Sequence, residues 1–269
     1  MRAATLRATI LGIVAAAVMT GSVSAQTSAT KRVGNETRLF QRFIEDGAVT
    51  ENVWAEGQFR YQSFEDADVV SLGPILAVNV AEDLEIGGHL DLRTVDPEGA
   101  GTETGFTDLD VYGKIRISTE PTQVALGILL KLPTGDEEES LYLGTGEMDV
   151  AFFGGVRHAF GAVSLVGSAG LRINQDPETN LPPGPGAPEG ETSVQLGGGF
   201  LFAVTQRLTG IIETSFETER IDQAGSDFRV TVGGDFRRDE SLSLRFGVGG
   251  GSGDGAPELE LIASGIFLF

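Results

Sequence analysis

The residues able to do chemistry are few. The chain holds two histidines, His89 and His158, and no cysteine, so thiol nucleophiles are excluded and a metal site of the His/Cys kind has almost no ligands to build on. His89 stands two residues before Asp91, a spacing that puts both side chains on one face of a strand and lets a carboxylate orient an imidazole for general-base work. The bland reading of the pair is an ion pair in a charged lining. His158 falls beside a predicted turn, in solvent. The glycine runs 197–199 and 249–251 lack the strand-turn-helix setting of a phosphate loop, and read as strand glycines that permit curvature and leave interior space. No catalytic residue, no metal ligand set and no cofactor is assigned from these residues.

What remains is charge, and its spacing defines the elements that must position it. In 107–118, Leu109, Val111, Gly113, Ile115 and Ile117 alternate with Asp108, Asp110, Tyr112, Lys114 and Arg116. In 227–237, Phe228, Val230, Val232, Gly234 and Phe236 alternate with Arg229, Thr231, Gly233, Asp235 and Arg237. A period of two is that of a strand whose faces meet different surroundings. Twelve such segments follow from the sequence: 52–62, 69–80, 84–93, 107–118, 122–132, 147–158, 162–174, 192–204, 208–217, 227–237, 242–250 and 257–269. Short turns alternate with longer polar links at 63–68, 94–106, 133–146, 175–191, 218–226 and 251–256.

These features predict an all-β, transmembrane, antiparallel up-and-down β-barrel of twelve strands, with short periplasmic turns and long extracellular loops. The apolar parity carries no charge in the clearest strands, where a charge facing lipid at mid-depth costs about 2–4 kcal/mol. Outward aromatics near strand ends suggest interfacial girdles: Phe59, Tyr61, Phe216 and Phe228 at one rim, Phe202, Phe236, Phe267 and Phe269 at the other. Pro74 lies inside the second segment and cannot donate to a ladder, which predicts a bulge or break there. Trp54 has the parity of the lumen, which suggests that the first strand starts later than drawn.

The first residues address the chain. Arg2 and Arg7 precede an apolar run from Ile10 to Met19 and a small-residue stretch ending at Ala25, the plan of a cleaved signal peptide. The expected domains are a signal peptide over 1–25, a periplasmic N-terminal lead over 26–51 and the barrel over 52–269, located in the cell outer membrane. Within the lead, residues 39–44 allow a short helix, a lumen plug or a flexible segment. The net charge is −20, or −22 once the two signal-peptide arginines are gone, which argues against nucleic acid as a partner. The partners this fold implies are outer-membrane lipid and lipopolysaccharide, the barrel-assembly machinery and a small-molecule solute.

Arg60, Arg93, Asp108, Asp110, Tyr112, Lys114, Arg116, Lys131, Arg172, Glu213, Arg229 and Arg245 fall on the inward parity and define the candidate solute pathway. Their mixed signs fit either an ion-pair network that stiffens the lumen or a narrow charged path. The long links are acidic and opposed only by Arg220. Asp136, Glu137, Glu138 and Glu139 form their densest cluster, without the ligand spacing of a calcium loop.

Three pieces of the chain resemble an outer-membrane family named for the MetA pathway of phenol degradation: 107–117, 126–136 (ending Pro133, Thr134, Gly135, Asp136) and 144–149. Where that family opens the first piece with Gly-Xaa-Gly-Asp, this chain has Gly105, Phe106, Thr107 and Asp108. The resemblance implies a barrel involved in uptake of small, often aromatic or hydrophobic compounds. The function expected is a passive channel for small solutes. A non-conducting structural or surface-interaction barrel is the alternative, and a hydrolase built on His89 the third.

Overall fold

The computed structural model describes residues 33–99, 101–135, 143–177, 189–222 and 224–269. Its elements are β1 (Trp54–Ser63), β2 (Ala67–Ala81), β3 (Leu84–His89), β4 (Leu92–Pro97), β5 (Glu103–Phe106), β6 (Leu109–Ser118), β7 (Thr122–Leu132), β8 (Asp149–Phe160), β9 (Val163–Ile173), β10 (Thr192–Ala203), β11 (Leu208–Glu217), β12 (Asp227–Arg237), β13 (Leu242–Ser252) and β14 (Leu259–Leu268). All pairings are antiparallel, and β1 pairs both β2 and β14, which closes the sheet into a barrel.

Fourteen segments make twelve strands, because β3 with β4 and β5 with β6 are each one strand interrupted near mid-length. β2 pairs β3 up to Ile75↔His89 and takes up β4 at Leu72↔Leu92 without loss of register. Pro74 faces the gap: the Leu90 amide donates to its carbonyl at 3.3 Å, but proline has no N–H to return. The break expected at Pro74 therefore falls in the strand opposite, while the bulge in β2 lies between Asn79 and Ala81. On the other side the pairing slips by one residue, from Leu92↔Phe106 to His89↔Asp110. That slip turns both Thr107 and Asp108 inward, where they are buried. The polar link predicted over 94–106 is mostly the β4–β5 hairpin, so these two strands rise farther than the alternation suggested.

The outward face is apolar. Leu72, Ile117, Leu126, Phe152, Phe200 and Phe246 are among the large side chains it exposes, each at least half accessible, as a lipid-facing band requires. The inward face carries charges along its height, but between them it also holds apolar side chains: Trp54, Ile75, Leu129, Phe153, Val166, Leu201, Ile211 and Ile266 are all buried. The strand does begin at Trp54, which faces the lumen and is fully buried there.

Those inward apolar side chains are covered by the chain's own residues 33–51. The segment read above as a periplasmic lead lies, over its described part, inside the barrel without regular secondary structure. Near the short-turn end, Gly34 and Asn35 meet Arg157 and Gln123. Residues 40–42 reach Glu213 and Glu260, Asp46 returns to Arg157, and Thr50 leads toward β1. Leu39 and Phe40 pack with Val166, Leu201, Ile211 and Ile262, while Phe43 and Ile44 pack with Trp54, Ile75, Leu129 and Phe153. Burial of these four apolar side chains, at about 1.5–3 kcal/mol each, gives the plug its hydrophobic hold. The fit is backbone to backbone in places. A Cβ on Gly155 would sit 1.8 Å from the Glu45 carbonyl oxygen, and one on Gly47 would sit 2.6 Å from that of Gln123.

Candidate functional site: a charged lumen and its plug

Because residues 33–51 form no ladder, their backbone groups must be satisfied by the wall, and the inward charges do this. The Glu213 carboxylate accepts from the amides of Phe40, Gln41 and Arg42 at 2.6 to 3.1 Å. Arg245 donates to the carbonyls of Arg38 and Leu39 and pairs with Glu56. Lys114 donates to the carbonyls of Ile44 and Asp46 at 3.1 Å. Arg157 binds Asp46 and the carbonyls of Gly34 and Thr37. Glu85 collects Arg38, the Tyr112 hydroxyl, the Thr50 amide and Lys114. Burial alone would lower the Arg38 pKa, but the Glu85 carboxylate outweighs it and holds the guanidinium above the usual arginine range. The plug's charge at this contact is permanent.

Most of the twelve predicted lumen residues are thereby committed. Tyr112, Lys114, Glu213 and Arg245 hold the plug or its partners, and Arg60 joins it through Gln41. Arg229 pairs Asp227 and Glu260. Arg93 lies near Asp91 and Ser71. Arg116 binds Asp83 and the Glu82 carbonyl at the short-turn rim. Asp108 and Lys131 belong to a separate cluster at the other mouth, and Asp110 and Arg172 bond to nothing among the described residues.

The mouth cluster gathers the three sequence pieces that carried the family resemblance. Asp108 Oδ1 accepts from the Gly135 amide at 3.0 Å, and its Oδ2 from the Thr145 amide and Lys131 Nζ, both at 3.1 Å. Lys131 also reaches Asp149 and the Thr145 hydroxyl. Both glycines are pressed on this carboxylate: a Cβ on Gly144 would lie 2.9 Å from Asp108 Oδ1, and one on Gly135 3.0 Å from it. The link between β7 and β8 is thus clasped by both its ends to the kink between β5 and β6. Asp136, Glu137, Glu138 and Glu139 lie within that link, outside the described residues.

The overall arrangement is that of known outer-membrane barrels. The COG4313 outer-membrane channel of Pseudomonas putida F1 superposes with a TM-score of 0.65 at 14% identity, over 82% of this chain and 97% of that one. The KdgM porin gives 0.52 at 8% identity over 80% and 99%, and the NanC porin 0.52 at 9% over 81% and 99%. At these identities the likeness is one of fold. No family model and no curated protein matches the chain.

Two other sequence readings change in place. His89 Nε2 sits 2.9 Å from Asp91 Oδ1, with its ring edge-on to Phe43 of the plug at 6.4 Å, and no serine hydroxyl among the described residues bonds to it. His158 points outward instead of standing free in solvent: it bonds Thr122 at 2.6 Å and lies against the Phe160 ring at 4.2 Å. Sequence reasoning omitted Arg38 and Asp46 from the site. The signal that could have found them is the inward parity of Trp54, Ile75, Leu129 and Phe153, since apolar side chains facing a lumen require something apolar to cover them.

Proposed function

We propose that this protein is an outer-membrane channel for small solutes, closed in the conformation described by its own residues 33–51. One observation carries this reading. The lumen is filled by a segment held through side-chain contacts, entering and leaving at the short-turn end, while the ladder that closes the barrel does not involve it. The plug can therefore withdraw without breaking the wall. The COG4313, KdgM and NanC folds support the reading by analogy. The resemblance to the MetA-pathway family adds small aromatic or hydrophobic compounds as a cargo class. Export through a signal peptide cleaved after Ala25, lipid and lipopolysaccharide around the apolar band, and insertion by the barrel-assembly machinery complete the proposal.

Single-channel recording in planar bilayers tests it, using the full chain and a chain lacking 33–50. Intermittent openings of the first and larger, sustained conductance of the second are expected. Silence from both, with the barrel folded, overturns the channel and favours a structural barrel.

A further inference from the structure

Asp110 and Arg172 stand apart from the other inward charges. Arg172, at the long-loop end of β9, is only 9% exposed, yet it makes no hydrogen bond or ion pair among the described residues, and its Nε is buried without a partner. Asp110, at the same end of β6, keeps a buried Oδ1 without a partner. The two belong to one region. Asp110 pairs Lys131 and Lys131 pairs Asp149, whereas Arg172 pairs Ala151, two residues along from Asp149. Arg172 lies within electrostatic reach of Asp110, Asp149, Glu217 and Arg220, and Asp110 within reach of Arg93.

The neighbours cannot satisfy them, because each is already engaged. Lys131 is held between Asp108 and Asp149, Arg220 bridges Asp149 and Glu217, and Glu217 also takes Gln195 and Arg42. A buried guanidinium without a carboxylate is costly and rare, and here the partly buried Asp110 carboxylate, whose Oδ1 has no partner, lies within its electrostatic reach. The two form no ion pair with each other, so a cation and an anion face the same part of the lumen unjoined, near the plug contact of Arg42 with Glu217.

We propose that Asp110 and Arg172 form a subsite for a small zwitterion, whose carboxylate meets the Arg172 guanidinium and whose ammonium meets Asp110. A simple anion would leave Asp110 unpaired and be repelled by it. A simple cation would meet the same fate at Arg172. A molecule with both charges satisfies both groups, and the balanced signs of the surrounding lumen give neither net charge an advantage. The proposal rests on the channel reading and narrows its cargo to amino-acid-like solutes.

Calorimetric titration of the purified full chain in detergent tests it with glycine, β-alanine, acetate and methylammonium. Saturable binding of at least one of the two zwitterions is expected, with acetate and methylammonium at least about tenfold weaker, the worth of one charge-assisted contact. Arg172→Gln and Asp110→Asn should each weaken zwitterion binding at least about tenfold while both barrels stay folded by heat-modifiable mobility. No saturable binding by the unaltered chain, acetate binding as tight as the zwitterions, or affinity unchanged in both variants overturns the subsite. Because binding is read without flux, a silent bilayer sinks the channel and leaves the subsite standing, whereas a conducting protein that binds no zwitterion loses only the subsite.

Discussion

Arg38 and Glu85 meet through two parallel hydrogen bonds, Nη1 to Oε1 at 2.9 Å and Nη2 to Oε2 at 2.6 Å, with both side chains fully buried. The planar fork of arginine matches a carboxylate in this way and a lysine would not. Glu85 is the one wall residue that also takes the Thr50 amide, where the plug turns back toward β1. It ties the ascending and returning arms of residues 33–51 to the same strand.

Glu85→Gln should therefore release the plug. The substitution leaves Arg38 and Lys114 buried without their carboxylate, and losing one member of a buried pair costs about 3–5 kcal/mol. The strand ladder does not depend on this contact, so the barrel should persist. Labelling of a cysteine placed at Val49 by a membrane-impermeant maleimide should rise at least tenfold over the parent carrying the same cysteine. Equal labelling in the two would mean that the ion pair does not hold the segment.

Gly155→Val tests the same closure from the packing side. With the Gly155 Cβ position only 1.8 Å from the Glu45 carbonyl, no side chain fits while the plug is seated, and overpacking of this kind typically costs about 1–3 kcal/mol or more. The strand itself tolerates valine well. Conductance should rise toward that of the chain lacking 33–50, with heat-modifiable mobility unchanged. A fully closed variant would show that the plug has slack the structure does not reveal.

The barrel was legible because its signal is local and repeated: β11 and β12 begin and end where the alternation does, at 208–217 and 227–237. The kinks were less legible. Pro74 announced one, but the break appears at Leu90 and Asp91, because a missing donor is felt by the strand that would have received it. The plug was nearly silent, since Leu39, Phe40, Phe43 and Ile44 pack on residues scattered over nine strands and have no period of their own. Lumen parity turned Glu213 and Lys114 inward, yet it could not say that they face the backbone of residues 40–46. That difference is set by residues 33–51, whose path no local pattern encodes.

Asp108 makes a prediction at the other mouth. Its carboxylate accepts one amide from each end of the β7–β8 link and receives Lys131. Asp108→Ala removes all three contacts and leaves Lys131 with Asp149 as its one carboxylate, a loss of about 1.5–3 kcal/mol for a hydrogen bond to a charged group. Limited proteolysis of intact cells should cut within 133–148 at least several times faster than in the parent, while Asp108→Asn, which keeps an acceptor oxygen, should fall between. If all three are cut at one rate, the clasp does not control the link.

Phe269 closes the seam of the barrel. Its amide donates to the Val53 carbonyl at 3.0 Å and its carbonyl accepts from the Val53 amide at 3.3 Å, while its ring points outward and is 77% exposed. Backbone and ring can be separated. Deleting Phe269 removes both seam bonds, each worth about 0.5–1.5 kcal/mol, together with the ring; Phe269→Ala removes the ring alone. In detergent refolding, where no cellular machinery acts, the deletion should lower the yield of folded barrel and Phe269→Ala should match the parent. In cells both should accumulate poorly if the ring is the feature the assembly machinery reads. Normal accumulation of Phe269→Ala in the outer membrane would assign Phe269 to the seam alone, since a ring that guides insertion cannot be dispensable for it.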